Sequence, residues 1–274
     1  MNTVRVMSKN AAYQKFEVLR TNRNKRYRYG EFLVEGVRNI NQAICNGWQF
    51  TSLLYSPETP LSRWAQEVLD TVSCDTHYQL SSNLMQELSG KTDTSELLAI
   101  LRMRPDDPAL MHDSPCPLYI LFDRPSNHGN LGSIIRSADA LGADGLILTG
   151  HGVDLYQPEV ITASMGSFFN LPAIRMADND TVFDWIARQR DLHPGFQVIG
   201  TTAHKQLNIT QVDFRLPTLL MIGNETDGLC RAFKEGCDLL ATIPMADTSS
   251  ASSFNVACAA TVMMYEVCRQ RAQE

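Results

Sequence analysis

With 274 residues, 44% of them hydrophobic and 20% charged, the chain suits one large domain or two ordinary ones with real cores. Its seven cysteines, an odd number, form no C-x-x-C pair and no Cys/His cluster, which argues against a disulfide-framed secreted fold and against a zinc site. The net charge of −6 weighs lightly against a nucleic-acid partner, and no apolar run reaches membrane-spanning length; a reducing, cytoplasmic setting fits best, with Cys258 and Cys268 as core or helix residues.

The charge is unevenly placed along the chain. Residues 1 to 38 are rich in Lys and Arg, and Arg23, Lys25, Arg26 and Arg28 interleave with Tyr27 and Tyr29. Cations neutralise phosphates and aromatic rings give bases a stacking face, so this stretch is a candidate RNA contact; a solvated basic surface is the plainer alternative. Phe32 to Gly36 reads as a strand and turn, and Val37 to Asn46 has helical spacing that stops before Gly47. Leu53 to Tyr55 is a second strand, Arg63 to Thr71 and Asn83 to Leu88 are helices, and Leu97 to Arg102 closes the unit as a strand. Residues 1–104 thus form a small α/β domain.

Four prolines between Arg104 and Pro117 disfavour regular structure and mark a linker over 105–117. From 118 to 274 strands and helices alternate, the mark of a mostly parallel sheet. Strands are expected at Tyr119–Phe122, Gly145–Leu148, Ala173–Arg175, Phe196–Gly200, around Leu219 and at Leu239–Ile243. Helices are expected at Leu131–Leu141, Glu159–Ser167, Val182–Arg190 and near Leu229–Lys234. The last helix, from Phe254 to Val267, is apolar almost all round. Such a helix needs cover on both sides. One face can lie on its own sheet; the other is covered either within the monomer or by a second copy of the chain.

Three constellations could carry chemistry. In the first, a strand ends at Asp123, a glycine-bearing loop turns, and a helix begins near Asn130, with Arg136 six residues on. A helix start suits an anion. On spacing alone Asn130 caps the helix and Arg136 pairs with Asp139. The second is Gly223-Asn224-Glu225-Thr226-Asp227-Gly228, where glycines admit close backbone approach and Glu225 could pair with a cation, Arg136 included; a surface turn is the bland reading. The third is Ser252-Ser253-Phe254-Asn255, able to cap the last helix or to offer hydroxyl and amide groups to a substrate. There is no G-x-G-x-x-G after the strand, no G-x-x-x-x-G-K-[ST] and no G-x-S-x-G, so dinucleotide, nucleotide-hydrolase and serine-hydrolase readings lack support. The histidines show no ligand spacing, and no metal is expected.

Together these stretches resemble the SpoU branch of the SPOUT class of RNA methyltransferases. Asn130, Leu131 and Arg136 match its first motif; Gly223, Glu225, Gly228 and Leu229 match G-x-E-x-x-G-L. Ile243-Pro244-Met245 followed by Ser253-Phe254-Asn255-Val256 matches the third. Phe254 replaces the usual Leu, the loop from Ala246 to Ser252 is longer than usual, and Asp247 stands where Gly is common, which bears on cofactor affinity.

The resemblance implies a knotted α/β catalytic domain, a mostly parallel sheet with a deep trefoil knot, preceded by a small L30e-like substrate-binding domain. It implies a homodimer built through the C-terminal helix. It also implies S-adenosyl-L-methionine held around Thr201, Ile222, Gly223, Asn224, Gly228, Ile243, Met245, Ser252 and Ser253. The reaction would be methyl transfer to a ribose 2′-hydroxyl of RNA, large-subunit ribosomal RNA before transfer RNA; an RNA-binding protein that keeps the fold without catalysis is the alternative. Arg136 would be the catalytic arginine, acting as a base or as an electrostatic group. An arginine resists deprotonation, which favours gripping phosphate and stabilising an alkoxide. Asn130 would orient the hydroxyl or Arg136, Glu225 would hold Arg136, and Ser253 and Asn255 would shape the ribose site. Arg23, Lys25, Arg26, Tyr27 and Arg28 would contact RNA.

Overall fold

The computed structural model describes residues 2–89, 93–203 and 206–272. Close packing divides the chain into two units, one of residues 1–104 with 154–170, the other of residues 105–153 with 171–274.

The first unit opens with β1 (Asn2–Val6), α1 (Ala11–Thr21) and α2 (Arg23–Tyr29). It continues with β2 (Glu31–Glu35), α3 (Val37–Cys45), β3 (Phe50–Tyr55), α4 (Arg63–Thr71), β4 (Thr76–Leu80), α5 (Ser82–Ser89) and β5 (Leu97–Arg102). The sheet order is β1-β4-β3-β5-β2, with β1, β4 and β3 parallel and β5 antiparallel to both its neighbours. Tyr13, Phe16 and Leu19 of α1 pack with Val6, Leu33 and Leu54 into its core. β1, α1 and β4 are elements that hydrophobic pattern alone does not announce, since NTVRV and THYQL are largely polar.

The basic stretch is a helix, not an open strand-like surface. The Asn22 side chain accepts from the Lys25 N–H at its start, and Gly30 ends it with φ 65°. Helical phase turns Arg26 inward, where it is 0% exposed. Its Nε donates to Asp154 Oδ2 at 2.8 Å, its Nη1 donates to the carbonyls of Leu19 and Arg20 at 3.0 Å each, and Nη2 reaches Gln157. The Tyr27 hydroxyl donates to the other Asp154 oxygen at 2.7 Å. Arg26 therefore cannot contact RNA, a correction to the reading from sequence. The same ion pair explains why Asp154–Asn170, within the alternating part of the sequence, packs into the first unit.

The second unit holds β6 (Leu118–Asp123), α6 (His128–Ala140) and β7 (Gly145–Thr149). After α7 (Pro158–Ala163), which belongs to the first unit, come β8 (Ala173–Met176), α8 (Asn179–Leu192), β9 (Gln197–Thr201), β10 (Leu207–Asn208) and β11 (Thr218–Ile222). α9 (Arg231–Gly236), β12 (Leu239–Thr242) and α10 (Val256–Arg271) complete it. Its sheet order is β10-β12-β9-β11-β6-β7-β8, with every pair parallel among the described residues. From β6 the chain builds outward through β7 and β8, then crosses to the other side with β9 and β11. The direction reverses between β6 and β11, and such a reversal opens a crevice beyond the strands' carboxyl ends.

α10 packs on α6, with Ser137 Oγ and Thr261 Oγ1 2.7 Å apart, and buries Ala260, Met263, Met264 and Val267. Its other face is open: Val262 is 39% and Tyr265 58% exposed, and Cys258 and Cys268 lie on the same side. Those two cysteines are helical, as expected, but surface residues. No helix among the described residues is long and apolar enough to cross a membrane.

Replacing Arg26 by Ala leaves the Asp154 carboxylate buried without its partner. Breaking a buried pair in this way typically costs about 3–5 kcal/mol, so urea unfolding of Arg26→Ala should show a loss of that order, with Arg26→Lys recovering only part of it.

Candidate active site

The carboxyl ends of β9, β11 and β12 and the start of α10 converge on one cavity of about 350 Å³, within the range of small-molecule sites. Its wall is formed by Thr201 after β9, by Ile222 to Leu229 after β11, by Ile243 and Met245 after β12, and by Ser252, Ser253 and Val256 at the entry to α10. Ala260 and Met263 close the apolar side. Each of the nine residues expected to hold the cofactor lines this cavity: Thr201, Ile222, Gly223, Asn224, Gly228, Ile243, Met245, Ser252 and Ser253.

The loop after β11 is folded very tightly. Asn224 and Gly228 exchange backbone hydrogen bonds of 3.1 and 3.0 Å, and the Asn224 side chain accepts from the N–H groups of Thr226 and Asp227. A Cβ on Gly223 would stand 2.2 Å from the Leu229 nitrogen, so only glycine lets the chain double back here. That cradle, part apolar and part bare backbone, suits an adenosine group with a polar tail.

Glu225 is aimed out of this loop toward α6. One carboxylate oxygen accepts from the Ser126 N–H at 3.0 Å and its hydroxyl at 2.7 Å; the other accepts from the Asn127 N–H at 3.2 Å and Asn130 Nδ2 at 3.3 Å. Asn130 Oδ1 in turn accepts from Asn255 Nδ2 at 3.1 Å, and Asn255 Oδ1 accepts from the N–H groups of Ala257 and Cys258 at the start of α10. One hydrogen-bonded line thus joins the three constellations. Burial pushes the Glu225 carboxyl up, but hydrogen bonds from Ser126, its own backbone and Asn130 outweigh this and hold it below the usual carboxylate range.

Two expectations need correction. The cap of α6 is Asn127, whose side chain accepts from the Asn130 N–H at 3.0 Å. Asn130 sits in the first turn with its amide free for Glu225 and Asn255. Nor does Glu225 hold Arg136: both its oxygens are taken by neutral donors. Arg136 lies on the exposed face of α6 with Gly129, Ser133 and Ala140, makes no hydrogen bond or ion pair among the described residues, and does not line the cavity. The physical reason is helical phase, since six residues at about 100° each carry Arg136 roughly 120° round from Asn130. The last helix is capped by Asn255, one of the roles open to the third constellation, and Ser252 and Ser253 line the cavity.

The long loop before α10 makes its own turn, with Ser249 N–H donating to the Ala246 carbonyl at 2.9 Å. Met245, Ser252 and Ser253 at its two ends line the cavity. Sequence reasoning missed Asp123 and Ser126. Asp123 is 2% exposed and anchors the loop through the Cys230 N–H at 2.8 Å. The signal available was a carboxylate ending an otherwise apolar strand. No cluster of metal-ligating side chains occurs among the described residues.

Comparison with known proteins agrees with this geometry. Residues 117–265 match the SpoU rRNA Methylase family, and residues 10–99 the SpoU L30e-like domain. A 23S rRNA (uridine(2479)-2′-O)-methyltransferase of Streptomyces viridochromogenes is 45% identical over 97% of this chain and 92% of its own. A 23S rRNA (guanosine-2′-O-)-methyltransferase of Coxiella burnetii is 30% identical over 74% of each chain. Among solved structures, the SpoU methyltransferase AviRb of S. viridochromogenes with the cofactor AdoMet superposes with a TM-score of 0.90 at 45% identity, covering 96% of this chain and 98% of that one. An AdoMet-bound rRNA methyltransferase of Sinorhizobium meliloti gives 0.84 at 28% identity over 97% and 98% of the two chains.

Glu225→Gln keeps the shape of the carboxylate but turns an NH₂ against donors that need an acceptor. Hydrogen bonds to a charged group are worth about 1.5–3 kcal/mol, so the variant should melt at lower temperature than the wild type at neutral pH. The lowered native pKa makes this contribution fully present above the ordinary carboxylate value of about 4.3 and lost as pH falls through the native value. Thermal melts of both proteins should therefore draw together in acid; a constant gap down to pH 3 would contradict the role of the charge.

Proposed function

The chain belongs to the SpoU rRNA Methylase family, and from that premise we propose that it transfers a methyl group from S-adenosyl-L-methionine to a ribose 2′-hydroxyl of large-subunit ribosomal RNA. The observation that carries the proposal is the cavity itself, where Gly223, Ile243, Met245 and Ser253 meet at two strand ends and the entry to α10 beside the Glu225–Asn130–Asn255 line. When bound, the cofactor supplies an electrophilic methyl carbon on a sulfonium sulfur, open to in-line attack.

The protein's part is orientation, which alone can lower such barriers by ~7–11 kcal/mol. Glu225 fixes Asn130, and Asn130 with Asn255 and Ser253 shapes the place of the ribose. An arginine resists deprotonation strongly, so the hydroxyl proton leaves to water. With no carboxylate partner among the described residues, the Arg136 guanidinium is available to a substrate phosphate and to the charge that develops on the ribose oxygen. A catalytically silent RNA-binding reading has less support, because the long Ala246–Ser252 loop leaves the cavity wall complete.

The finer parts of the proposal concern architecture and partners. Residues 1–104 with 154–170 serve as the RNA-binding unit, and 105–153 with 171–274 as the catalytic unit. Lys25 and Arg28 of α2 contact RNA, with Arg23 stacked 5.7 Å over the Tyr27 ring beside them. The C-terminal stretch is knotted; the return of α10 from β12, across the ends of β9 and β11, to α6 supports this. The exposed stripe of Cys258, Val262, Tyr265 and Cys268 is the homodimer surface, and Tyr265→Lys should convert a dimer to a monomer in sedimentation at micromolar concentration.

Nucleoside mass spectrometry of total ribosomal and transfer RNA should show one 2′-O-methylated nucleoside of the large-subunit RNA vanish when the gene is removed. It should return with the wild-type gene and stay absent with Arg136→Ala. Arg136→Lys keeps charge but loses the planar fork, so its turnover on that RNA should fall by at least about tenfold. Loss of a methylated transfer-RNA nucleoside instead would redirect the substrate, and no change in either RNA would sink the activity.

A further inference from the structure

One arginine at the site takes no part in the chemistry above. Arg124 follows the last residue of β6 and has φ 52°; with Met165 it is one of two non-glycine residues in the left-handed region among the described residues. A bulky residue persists there only when its surroundings compensate the strain. Those surroundings are all parts of the second unit. The Arg124 N–H donates to the Thr149 carbonyl at 3.1 Å, and its own carbonyl accepts from Asn224 Nδ2 at 2.7 Å. The side chain then runs past Gly150, where any Cβ would come within 2.5 Å of Arg124 Cγ.

At its far end the guanidinium is a bridge. Nε and Nη2 each donate to Asp123 Oδ2 at 3.1 Å, and Nη2 also donates to the Gly228 carbonyl at 2.9 Å. Asp123 is a fixed anchor, since its other oxygen accepts from Thr149 Oγ1 at 3.0 Å. Arg124 thus grips the cavity loop at both ends, Asn224 through its carbonyl and Gly228 through its fork. Those two residues are the pair whose backbone exchange closes the Gly223–Gly228 turn. Glu225 is held separately, by Ser126, Asn127 and Asn130.

We propose that Arg124 is a positioning residue for the cofactor: it sets the shape of the Gly223–Gly228 wall and thereby cofactor affinity, while Glu225 and the ribose site are set by other bonds. The inference rests on the cavity being the S-adenosylmethionine site. It separates affinity from turnover, which a merely structural role would not do.

The test uses the full-length protein, with calorimetric titration of S-adenosylmethionine and methyl transfer to large-subunit ribosomal RNA from cells lacking the gene. Arg124→Gln should raise Kd and KM for S-adenosylmethionine by about tenfold or more, with kcat at saturating cofactor within about threefold of wild type. Arg124→Lys, which keeps a cation near Asp123, should recover part of the affinity. Arg124→Asn tolerates the left-handed backbone and gives the same reading if the Gln variant folds poorly. Wild-type Kd in the folded variants, or a fall in kcat with KM unchanged, would overturn the inference alone. A wild-type protein that binds no S-adenosylmethionine would overturn the proposed function, and this inference with it.

Discussion

The site depends on one carboxylate with four donors. Glu225 stands on a loop of β11, its partners Ser126 and Asn127 lie in the loop after β6, and Asn130 lies on α6. Taking a carboxylate partly out of water is costly unless every lone pair finds a donor. Here two backbone N–H groups, a hydroxyl and an amide do so, and Asn130 passes the connection to Asn255 and the start of α10. The two loops meet where the sheet's build direction reverses, so the topology that opens the crevice also brings these groups together. Neutral donors, rather than a guanidinium, satisfy the acid. Arg136 is left without a carboxylate partner among the described residues.

The same economy of charge appears at Arg26. A fully buried guanidinium is tolerable only when its donors are filled, and Asp154, Gln157 and the carbonyls of Leu19 and Arg20 fill them. The pair stitches a late segment of sequence, Asp154–Asn170, into a unit made otherwise of the first hundred residues. A basic run that reads as one surface is therefore divided by helical phase: Arg26 is structural, while Lys25 and Arg28 face outward.

Strands and helices with strong apolar periodicity were legible from the sequence. α4 and β5 begin and end at the residues their patterns indicate, and β6, β7 and β11 lie within a residue or two of theirs. β1, β4 and α2 were not, because their sequences are polar and their stability comes from neighbours far along the chain. The lining of the cavity was legible through the family resemblance of the motifs, and of its residues Gly223 is a local requirement of the tight turn. Which side chain bonds which was not. Glu225 was matched to Arg136 on charge, yet the fold gave it Ser126, Asn127 and Asn130.

The sequence by itself determined an α/β protein with a parallel second sheet, which follows from periodicity, and its motifs carried a resemblance to ribose methyltransferases that implied the residues of the cavity wall. Only the tertiary structure decided that Arg26 is buried, that Arg124 clasps the cavity loop, and that Arg136 stands apart from Glu225. Each of those outcomes turns on helical phase or on partners about a hundred residues away, and a one-dimensional pattern carries neither.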